Sequence, residues 1–306
     1  MAECLVTGGA GFIGSFMAEA LLSEGHSVRI LDDFSTGSRK NLSSFASDID
    51  LVEGSITDAA LVKKMARGVD YVFHEAALVS VAESMRNPEK TMEVNVGGTK
   101  NVLDAAVSNN VKKVILASSA AVYGDAAPPL RESVRCAPLS PYGQSKLELE
   151  RLASEYAKKH SLDSVSLRYF NVYGPRQPAD SPYSGVIARF MDAMVKGKRP
   201  TICGDGLQTR DFIYVKDVAA ANMLAMKAGG AGEAYNIATG NAITLNKLAS
   251  TISGLLGRDI KPDYAATRPG DIRHSFADIS KAKKSLGFAP EYPLEAGLKE
   301  MLAASR

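Results

Sequence analysis

The sequence predicts an α/β protein built on a doubly wound parallel sheet, with a smaller α/β lobe attached to it. Strands and helices alternate from the N-terminus to about residue 170, and the strands are apolar throughout. Such strands are typical of a parallel sheet whose two faces are both covered by helices. A glycine-rich turn between the first strand and the first helix is a further indication, because doubly wound sheets carry such a turn at their first crossover.

The composition sets limits on the class of protein. The chain has 306 residues, of which 45% are hydrophobic and 23% charged, so it can form one large domain or two closely joined ones. A net charge of +2 provides no electrostatic footprint for nucleic acid. Three scattered cysteines form no CxxC motif, so we expect a reducing cytoplasm, no disulfide framework and no bound metal. We expect neither a signal peptide nor a membrane span, because the chain enters a strand directly and no apolar run is long enough.

The first elements are predicted to be strand, glycine turn, helix, strand and acid. Residues 4–7 form the first strand, glycines follow at positions 8, 11 and 14, and the helix stops at Gly25. These glycines allow a tight turn, close approach of the backbone to a pyrophosphate, and close packing of helix on strand. Free N–H groups at the helix N-terminus suit phosphate. A second strand over 28–31 leads to Asp32, which is placed to accept from a ribose 2′-hydroxyl and to repel a 2′-phosphate. The pattern therefore predicts a Rossmann-type site for NAD in preference to NADP.

The alternation continues toward the middle of the chain. Cofactor and substrate are expected to meet at the carboxyl ends of the strands, where His74 and the pair Ser118–Ser119 lie. We predict strands over 51–53, 70–74, 114–117 and 164–168, and helices over 58–65, 89–109 and 141–158.

After residue 170 the pattern loosens and prolines become frequent. We assign residues 1–170 and 215–242 to an NAD-binding Rossmann domain, and residues 171–214 and 243–306 to a smaller α/β substrate-binding lobe. The elements predicted in this part are helices over 184–196, 217–227 and 244–257, strands over 200–203 and 235–237, and an extended segment over 213–215.

Tyr142 and Lys146 would share one face of the helix over 141–158, since four residues make about one turn. The unperturbed pKa of a phenol is about 10, which makes it a poor base near neutrality. A lysine ammonium one turn away stabilises the phenolate and lowers that pKa, so the tyrosine can take a proton from a sugar or alcohol hydroxyl. Alone, such a pair is more often simply solvated; the glycine turn and Ser119 place it in a catalytic context.

Nine segments, taken together and in order, form a specific pattern: 7–14, 32–34, 74–77, 95–99, 118–124, 142–146, 168–175, 210–212 and 268–271. With these segments the chain resembles the extended short-chain dehydrogenase/reductase superfamily over essentially its whole length. Within that superfamily it resembles the nucleotide-sugar epimerases, UDP-hexose 4-epimerases in particular. The resemblance implies a tightly bound NAD, transient oxidation at C4 of a UDP-sugar, rotation of the 4-keto sugar and return of the hydride. It also implies a homodimer through the helix around 89–109 and the helix that carries Tyr142.

The resemblance implies roles residue by residue. Ser119 would bond the sugar 4-hydroxyl, Tyr142 would be the base, and Lys146 would hold the nicotinamide ribose and lower the pKa of Tyr142. Asn95 would support the active-site helix, and His74 is expected to be structural or near the cofactor. Residues implied to bind the cofactor are Gly8, Gly11, Phe12, Ile13, Gly14, Asp32, Asp33, Phe34, Thr36, Gly37, Ser55, Ile56, Ala76, Ala77, Val79, Asn95, Tyr142, Lys146 and Tyr169.

The nucleotide-sugar site is implied in the same way. The arginines at positions 210 and 268 suit a diphosphate, because a guanidinium binds it through paired hydrogen bonds. A surface salt bridge is the alternative for the segments that contain them. Residues implied to bind the substrate are Val81, Ser119, Ala120, Tyr142, Asn171, Gly185, Val186, Thr201, Cys203, Arg210, Ile243, Arg268, Asp271 and Ser275.

Two places depart from the family pattern. Ser55 stands where the family usually has an aspartate that bonds the adenine amino group, so we expect a weaker contact or one through the backbone. The nearby Asp58 suits a helix cap better. Ala120 and Ala121 offer no acid where related dehydratases carry Asp-Glu and decarboxylases a glutamate, which favours epimerisation.

Ser275 is expected to set the sugar specificity. In the family a tyrosine at this position restricts the enzyme to glucose and galactose, and a small residue admits N-acetyl groups. Ser275 therefore predicts activity on UDP-GlcNAc/UDP-GalNAc as well as UDP-glucose/UDP-galactose; a surface turn residue is the alternative. Three other functions stay open: a UDP-glucuronate 4-epimerase in which Arg273 or Arg189 meets the carboxylate, a one-way nucleotide-sugar reductase, and a non-catalytic nucleotide sensor.

Overall fold

A seven-stranded parallel sheet forms the centre of the protein. The computed structural model describes residues 1–178, 185–267 and 272–304. The strands are β1 (Glu3–Thr7), β2 (Ser27–Asp32), β3 (Ile49–Glu53), β4 (Tyr71–His74), β5 (Lys113–Ser119), β6 (Asp163–Tyr169), β7 (Asn171–Tyr173), β8 (Thr201–Cys203), β9 (Thr209–Arg210), β10 (Phe212–Tyr214), β11 (Glu233–Ile237), β12 (Ile243–Thr244) and β13 (Asp263–Ala265). The helices are α1 (Phe12–Ser23), α2 (Ala59–Met65), α3 (Val81–Arg86), α4 (Pro88–Met92), α5 (Gly98–Ser108), α6 (Pro141–His160), α7 (Val186–Val195), α8 (Val215–Lys227), α9 (Leu245–Leu255), α10 (Ser280–Leu286) and α11 (Leu294–Ala304).

The strand order in the large sheet is β11-β6-β5-β4-β1-β2-β3. The chain runs outward from β1 to β3, returns to β4 and runs outward on the other side, so the switch point lies between β1 and β4. Ligands of such sheets bind at the carboxyl ends of the strands beside that point. The predicted doubly wound α/β fold is confirmed.

Helices cover both faces of the sheet with apolar side chains. On one face α1 and α8 pack against the strands through residues such as Met17, Leu21 and Met223. On the other face α2, α5 and α6 do so through residues such as Val102 and Leu149. Because both faces are buried, most strand residues are apolar. Strand β6 is an exception, since Ser164, Ser166 and Arg168 alternate along it and are buried.

The helix predicted over 89–109 is interrupted. A π-helical turn, Glu93–Gly97, separates α4 from α5. The turn contains Asn95, whose side-chain amide bonds both backbone groups of Leu78 and the hydroxyl of Ser145 on α6. Such single π turns often occur at functional sites. Helical periodicity alone does not show this turn, because the contacts of Asn95 come from distant segments.

Three short strand pairs lie outside the large sheet: β7 with β10, β9 with β12, and β8 with β13. Helices α7, α9 and α11 pack around them in a shared apolar cluster. Helix α10 instead contributes Ala282 and Leu286 to the core under α1 and α8. Asp217, at which the predicted helix over 217–227 begins, lies in the first turn of α8 and makes no side-chain capping bond. Its carboxylate instead accepts from the backbone N–H groups of Glu291 and Tyr292 at 2.8 and 3.2 Å. No helix within the described ranges is long and apolar enough to cross a membrane.

Candidate active site

Ser119, Tyr142 and Lys146 meet at the carboxyl end of β5. Ser119 is the last residue of β5, and the other two lie one turn apart near the start of α6. The Ser119 hydroxyl lies near enough to the Tyr142 phenol to lower the pKa of that phenol. The Lys146 ammonium donates to the Ala117 carbonyl at 2.7 Å and lies 5.9 Å from the centre of the Tyr142 ring. The structure thus brings the three predicted catalytic side chains together.

The N-terminus of α6 is built to hold this geometry. The Ser140 hydroxyl caps the helix by accepting from the backbone N–H of Gly143 at 3.1 Å, and Pro141 occupies the first helical position. Asn95 donates to the Ser145 hydroxyl at 3.0 Å, which in turn donates to the Tyr142 carbonyl at 2.8 Å. Asn95 thus connects the π turn between α4 and α5 to the first turn of α6.

The electrostatics of Tyr142 differ from the sequence-based expectation. Desolvation raises the pKa of Tyr142, the hydrogen bond from Ser119 opposes that shift, and the charge of Glu75 adds to it. Desolvation also lowers the pKa of Lys146 to about 8, with Glu75 opposing. We expected Lys146 to lower the pKa of Tyr142, but within the protein alone the cost of removing a phenolate from water is larger.

The glycine turn forms a tight cradle between β1 and α1. Gly8 has φ +71°, and its carbonyl accepts from the N–H of Gly11 at 3.1 Å. A Cβ on Gly14 would lie 2.1 Å from the Gly8 carbonyl oxygen, so the helix can approach the strand this closely only with glycine there. Asp32 closes the turn, because its carboxylate accepts from the N–H groups of Ala10 and Phe34 at 2.8 Å each. A glycine cradle with a carboxylate beside it fits a dinucleotide.

The other residues predicted to bind cofactor follow the carboxyl ends of neighbouring strands. Phe12, Ile13, Thr36, Gly37, Ile56, Ala76 and Ala77 all lie in such segments or at the start of α1. Asp33 is exposed and turns into its own loop, where it accepts from the N–H and hydroxyl of Ser35. Val79 is 59% exposed.

The segment after β3 is held in a way that differs from the family pattern. The Ser55 hydroxyl accepts from the N–H and the hydroxyl of Thr57, at 3.3 and 3.0 Å. Asn101 on α5, which we did not predict, donates to the carbonyls of Ile56 and Thr57. Asp58 accepts from the Leu61 N–H at 3.0 Å and caps α2, as predicted.

His74 is buried between two threonine hydroxyls and is neutral. Desolvation, with the charge of Lys146, lowers the pKa of His74 to about 3. Thr99 gives its only hydroxyl proton to the Asn95 carbonyl, so its oxygen accepts from His74 Nε2 at 3.0 Å. His74 Nδ1 then accepts from the Thr7 hydroxyl at 2.8 Å. This network agrees with the expected structural role.

Glu75, a residue to which we assigned no role, lies close enough to Tyr142 and Lys146 for its charge to act on both. The Tyr169 hydroxyl donates to Glu75 Oε1 at 2.8 Å and accepts from the Asn222 amide at 2.8 Å. Desolvation raises the pKa of Glu75 to about 7, while the Tyr169 bond and Lys146 lower it. In the sequence, the feature that could have identified Glu75 is an acidic residue placed between the apolar strand β4 and two alanines.

The predicted substrate residues form a chain of neighbours that starts at Ser119. Ser119 and Tyr169 are register partners, Asn171 follows on β7, and its N–H donates to the Asp211 carbonyl. Arg210, next to Asp211, is the register partner of Ile243. The backbone N–H of Ser275 donates to the carbonyl of Thr209, the residue before Arg210. Thr201 and Cys203 lie on β8, Gly185 and Val186 at the start of α7, Ala120 directly after Ser119, and Val81, 49% exposed, at the start of α3.

Burial decides between the alternatives for Ser275 and for the segment that contains Asp211. Ser275 is 9% exposed, which excludes a surface turn. Asp211 is also buried and accepts from four groups around Thr239, Gly240 and Ala277, so it is not part of a surface salt bridge. Arg268 and Asp271 lie outside the described residues.

Comparison with known proteins agrees with this arrangement. The profile of the family described as "NAD dependent epimerase/dehydratase family" matches residues 4–238. A putative UDP-glucose 4-epimerase of Methanocaldococcus jannaschii is 39% identical over 97% of this chain and 96% of its own length. A UDP-glucuronate 4-epimerase of Thermodesulfobacterium geofontis is 34% identical over 100% and 97%.

A solved structure shows the same fold over nearly the whole chain. It is the UDP-N-acetylglucosamine 4-epimerase from Methanobrevibacter ruminantium in complex with UDP-N-acetylmuramic acid. It is 40% identical with a TM-score of 0.95, and the match covers 99% of this chain and 98% of that one. The chain therefore belongs to the NAD-dependent epimerase/dehydratase family, within the UDP-sugar epimerases of the extended short-chain dehydrogenase/reductase superfamily.

Proposed function

We propose that this protein is a 4-epimerase of UDP-hexoses that interconverts UDP-glucose and UDP-galactose and also UDP-GlcNAc and UDP-GalNAc. The observation that carries the proposal is the placement of Ser119 at the end of β5 beside Tyr142, with Lys146 one turn further along α6. The two residues after Ser119 are alanines, so this position provides no acid for elimination or decarboxylation. The chemistry that these side chains support is the removal and return of one hydroxyl proton.

The protein's own groups perform the proton chemistry. The glycine turn and Asp32 would hold NAD, which would supply a reversible hydride acceptor for C4 of the sugar. Tyr142 takes the proton of the 4-hydroxyl and gives it back after the sugar has turned. Ser119 bonds both the phenol and the sugar oxygen, and the Lys146 ammonium favours the phenolate. No net redox change occurs, so turnover needs no added cofactor.

Exchanging Ser275 for tyrosine is expected to narrow the sugar range. Ser275 is buried beside Thr209 and Arg210, where a phenol would fill space that an N-acetyl group needs. We expect Ser275→Tyr to lower kcat/KM for UDP-GlcNAc by about 100-fold, the scale at which a pocket rejects an oversized group, and to leave UDP-glucose turnover near its original value. Proton NMR of both reactions measures the ratio.

Ser275→Ala is the matched control, because it keeps the space and should keep both activities. Circular dichroism and thermal melting of the tyrosine variant establish that it folds. Equal loss of both activities in a folded Ser275→Tyr protein would contradict a role of Ser275 in specificity.

The rival substrate is UDP-glucuronate, the substrate in the name of one relative. A glucuronate epimerase needs a cation for the sugar carboxylate. Arg273, one of the two candidates, forms a two-point ion pair with Asp205 at 2.8 Å for each bond. That pairing favours the uncharged hexoses.

Incubation of the purified protein with each UDP-sugar, without added NAD, tests the choice of substrate. Proton NMR should show the 4-epimer forming from UDP-glucose and UDP-GlcNAc. Turnover of UDP-glucuronate alone would instead select the rival. Release of oxidised cofactor in step with product would point to a one-way reductase and overturn the epimerase proposal.

We further propose the division into an NAD-binding part, 1–170 and 215–242, and a sugar-nucleotide lobe, 171–214 and 243–306. The strand pairs outside the large sheet support it, since β8, β9, β12 and β13 all fall in the second part. A homodimer through the helices around 89–109 and 141–160 stays a proposal from the resemblance, and light scattering of the purified protein tests it.

A further inference from the structure

Glu75 places a carboxylate across the end of the strand that carries Ser119. Its backbone follows β4, where its N–H donates to the Thr7 carbonyl. Its carboxylate accepts from Tyr169, the last residue of β6. Because β5 lies between β4 and β6, the Glu75–Tyr169 bond spans the carboxyl end of β5. The carboxylate is thus held at the catalytic edge of the sheet.

The bond is fixed from a second element. Asn222 on α8 donates to the Tyr169 oxygen at 2.8 Å, so the hydroxyl proton of Tyr169 is directed to Glu75. Asn222 also donates to the Val218 carbonyl one turn earlier, which holds its amide in place. A carboxylate oriented through two fixed donors in series is typical of a positioned functional group.

The charge of Glu75 acts on both members of the catalytic helix pair. It raises the pKa of Lys146 against the lowering by desolvation, and it raises the pKa of Tyr142 together with desolvation. The other groups around Glu75 carry no charge near neutrality: His74 is neutral, Asn222 is an amide, and desolvation and Glu75 itself raise the pKa of Tyr169. Among the residues that the structure describes, Lys146 is the cation whose charge lowers the pKa of Glu75.

We propose that Glu75 is a positioning residue of this site: its carboxylate, held by Tyr169 across the end of β5, keeps Lys146 in the ammonium form and sets the pH range in which Tyr142 works as a base. The inference rests on the proposed function in one respect, that Tyr142 is the base. It adds a residue that acts through Lys146 and Tyr142 rather than on the sugar.

Glu75→Gln removes the charge and keeps an oxygen for the Tyr169 bond. Without the charge, both Lys146 and Tyr142 give up their protons at lower pH. The two limbs of kcat/KM against pH, which together report the ionisations of Tyr142 and Lys146, should both move to lower pH by about one unit. A residue that only fills space would lower the rate without moving either limb.

Tyr169→Phe gives a second, milder variant. It removes the bond that lowers the pKa of Glu75, so Glu75 stays protonated to higher pH. The acid limb should then move in the same direction as in Glu75→Gln, and the alkaline limb, where Glu75 is charged again, should stay near its original pH. This variant carries the test if Glu75→Gln does not fold.

A direct titration makes the test independent of turnover. In protein labelled with ¹³C at the tyrosine phenol carbon, the resonance that disappears in Tyr142→Phe belongs to Tyr142, and its pH titration is followed without substrate. Glu75→Gln should lower the pKa of Tyr142. Glu155→Gln is the control, since it removes an exposed carboxylate paired with Lys159 on the same helix, and it should leave the titration unchanged.

The outcomes separate this inference from the proposed function. If the Tyr142 titration and both limbs are unmoved in a folded Glu75→Gln protein, the assigned role of Glu75 is wrong. If no UDP-sugar is epimerised by the unaltered protein, the proposed function fails, while a lowered pKa of Tyr142 in Glu75→Gln still establishes the coupling.

Discussion

Replacing Tyr142 by phenylalanine is expected to lower kcat by about 10²–10⁴-fold, the usual contribution of a positioned acid–base group. The variant keeps the ring and loses only the hydroxyl, which lies beside Ser119. Neither of its two catalytic neighbours can then take the 4-hydroxyl proton, because Ser119 has a far higher pKa than a phenol and the Lys146 ammonium has no lone pair. Binding of UDP should stay near its original affinity, because the ring is retained. Proton NMR of epimerisation and calorimetry with UDP measure the two effects separately.

Tyr156→Phe is the matched control on the same helix. Its hydroxyl bonds Asp104 on α5, on the face of α6 that packs against the neighbouring helices. We expect full activity and at most a small loss of stability, about 1 kcal/mol for one hydrogen bond. Near-normal epimerisation by Tyr142→Phe, with the control also active, would refute Tyr142 as the base.

Replacing Arg168 by methionine is expected to destabilise the fold by about 3–5 kcal/mol, because it leaves a charge buried and unpaired. Arg168 donates to both carboxylate oxygens of Glu150, at 2.8 and 2.6 Å, and to the Tyr123 hydroxyl at 2.8 Å. Both side chains of the ion pair are less than 10% exposed. Denaturation by urea, followed by circular dichroism, measures the change in the free energy of unfolding.

A double variant separates the effect of an unpaired buried charge from the effect of lost packing. Arg168→Met combined with Glu150→Leu removes both charges, and such apolar replacement of a buried pair is often neutral or stabilising. Arg151→Met breaks the exposed pair with Glu148 on the same helix and should leave the free energy of unfolding nearly unchanged. If Arg168→Met alone is as stable as the unaltered protein, the pair does not hold the fold as argued.

The Glu150–Arg168 pair also bears on the catalytic geometry. Ser118, the neighbour of Ser119, donates to Glu150 Oε1 at 2.5 Å, and Glu150 lies one turn beyond Lys146 on α6. The pair therefore ties β5, β6 and α6 together beneath the catalytic residues. We expect the double variant, even where it is stable, to lose part of its kcat because Ser119 and Tyr142 are held less firmly.

The order of strands and helices could be predicted from the sequence because its causes are local. The hydrophobic periods of strands and helices act within a few residues of each position. The glycines at 8 and 14 act as locally, since they permit the positive φ and the close approach that the turn requires. The same holds for Tyr142 and Lys146, whose spacing places them on one face of any helix. Asp58 was predictable as a cap for this reason, and Asp217 was not, since its partners are more than 70 residues away.

The sequence by itself determined the doubly wound fold, the glycine cradle and the pairing of Tyr142 with Lys146, because each follows from short-range sterics and helical or strand periodicity. Only the tertiary structure decided the π turn at Asn95, the Glu150–Arg168 pair and the reach of Glu75 to Tyr169 across β5. These contacts join residues 18–94 positions apart. Which buried polar groups become partners depends on which strand ends lie side by side, and that order is set by the packing of the whole sheet.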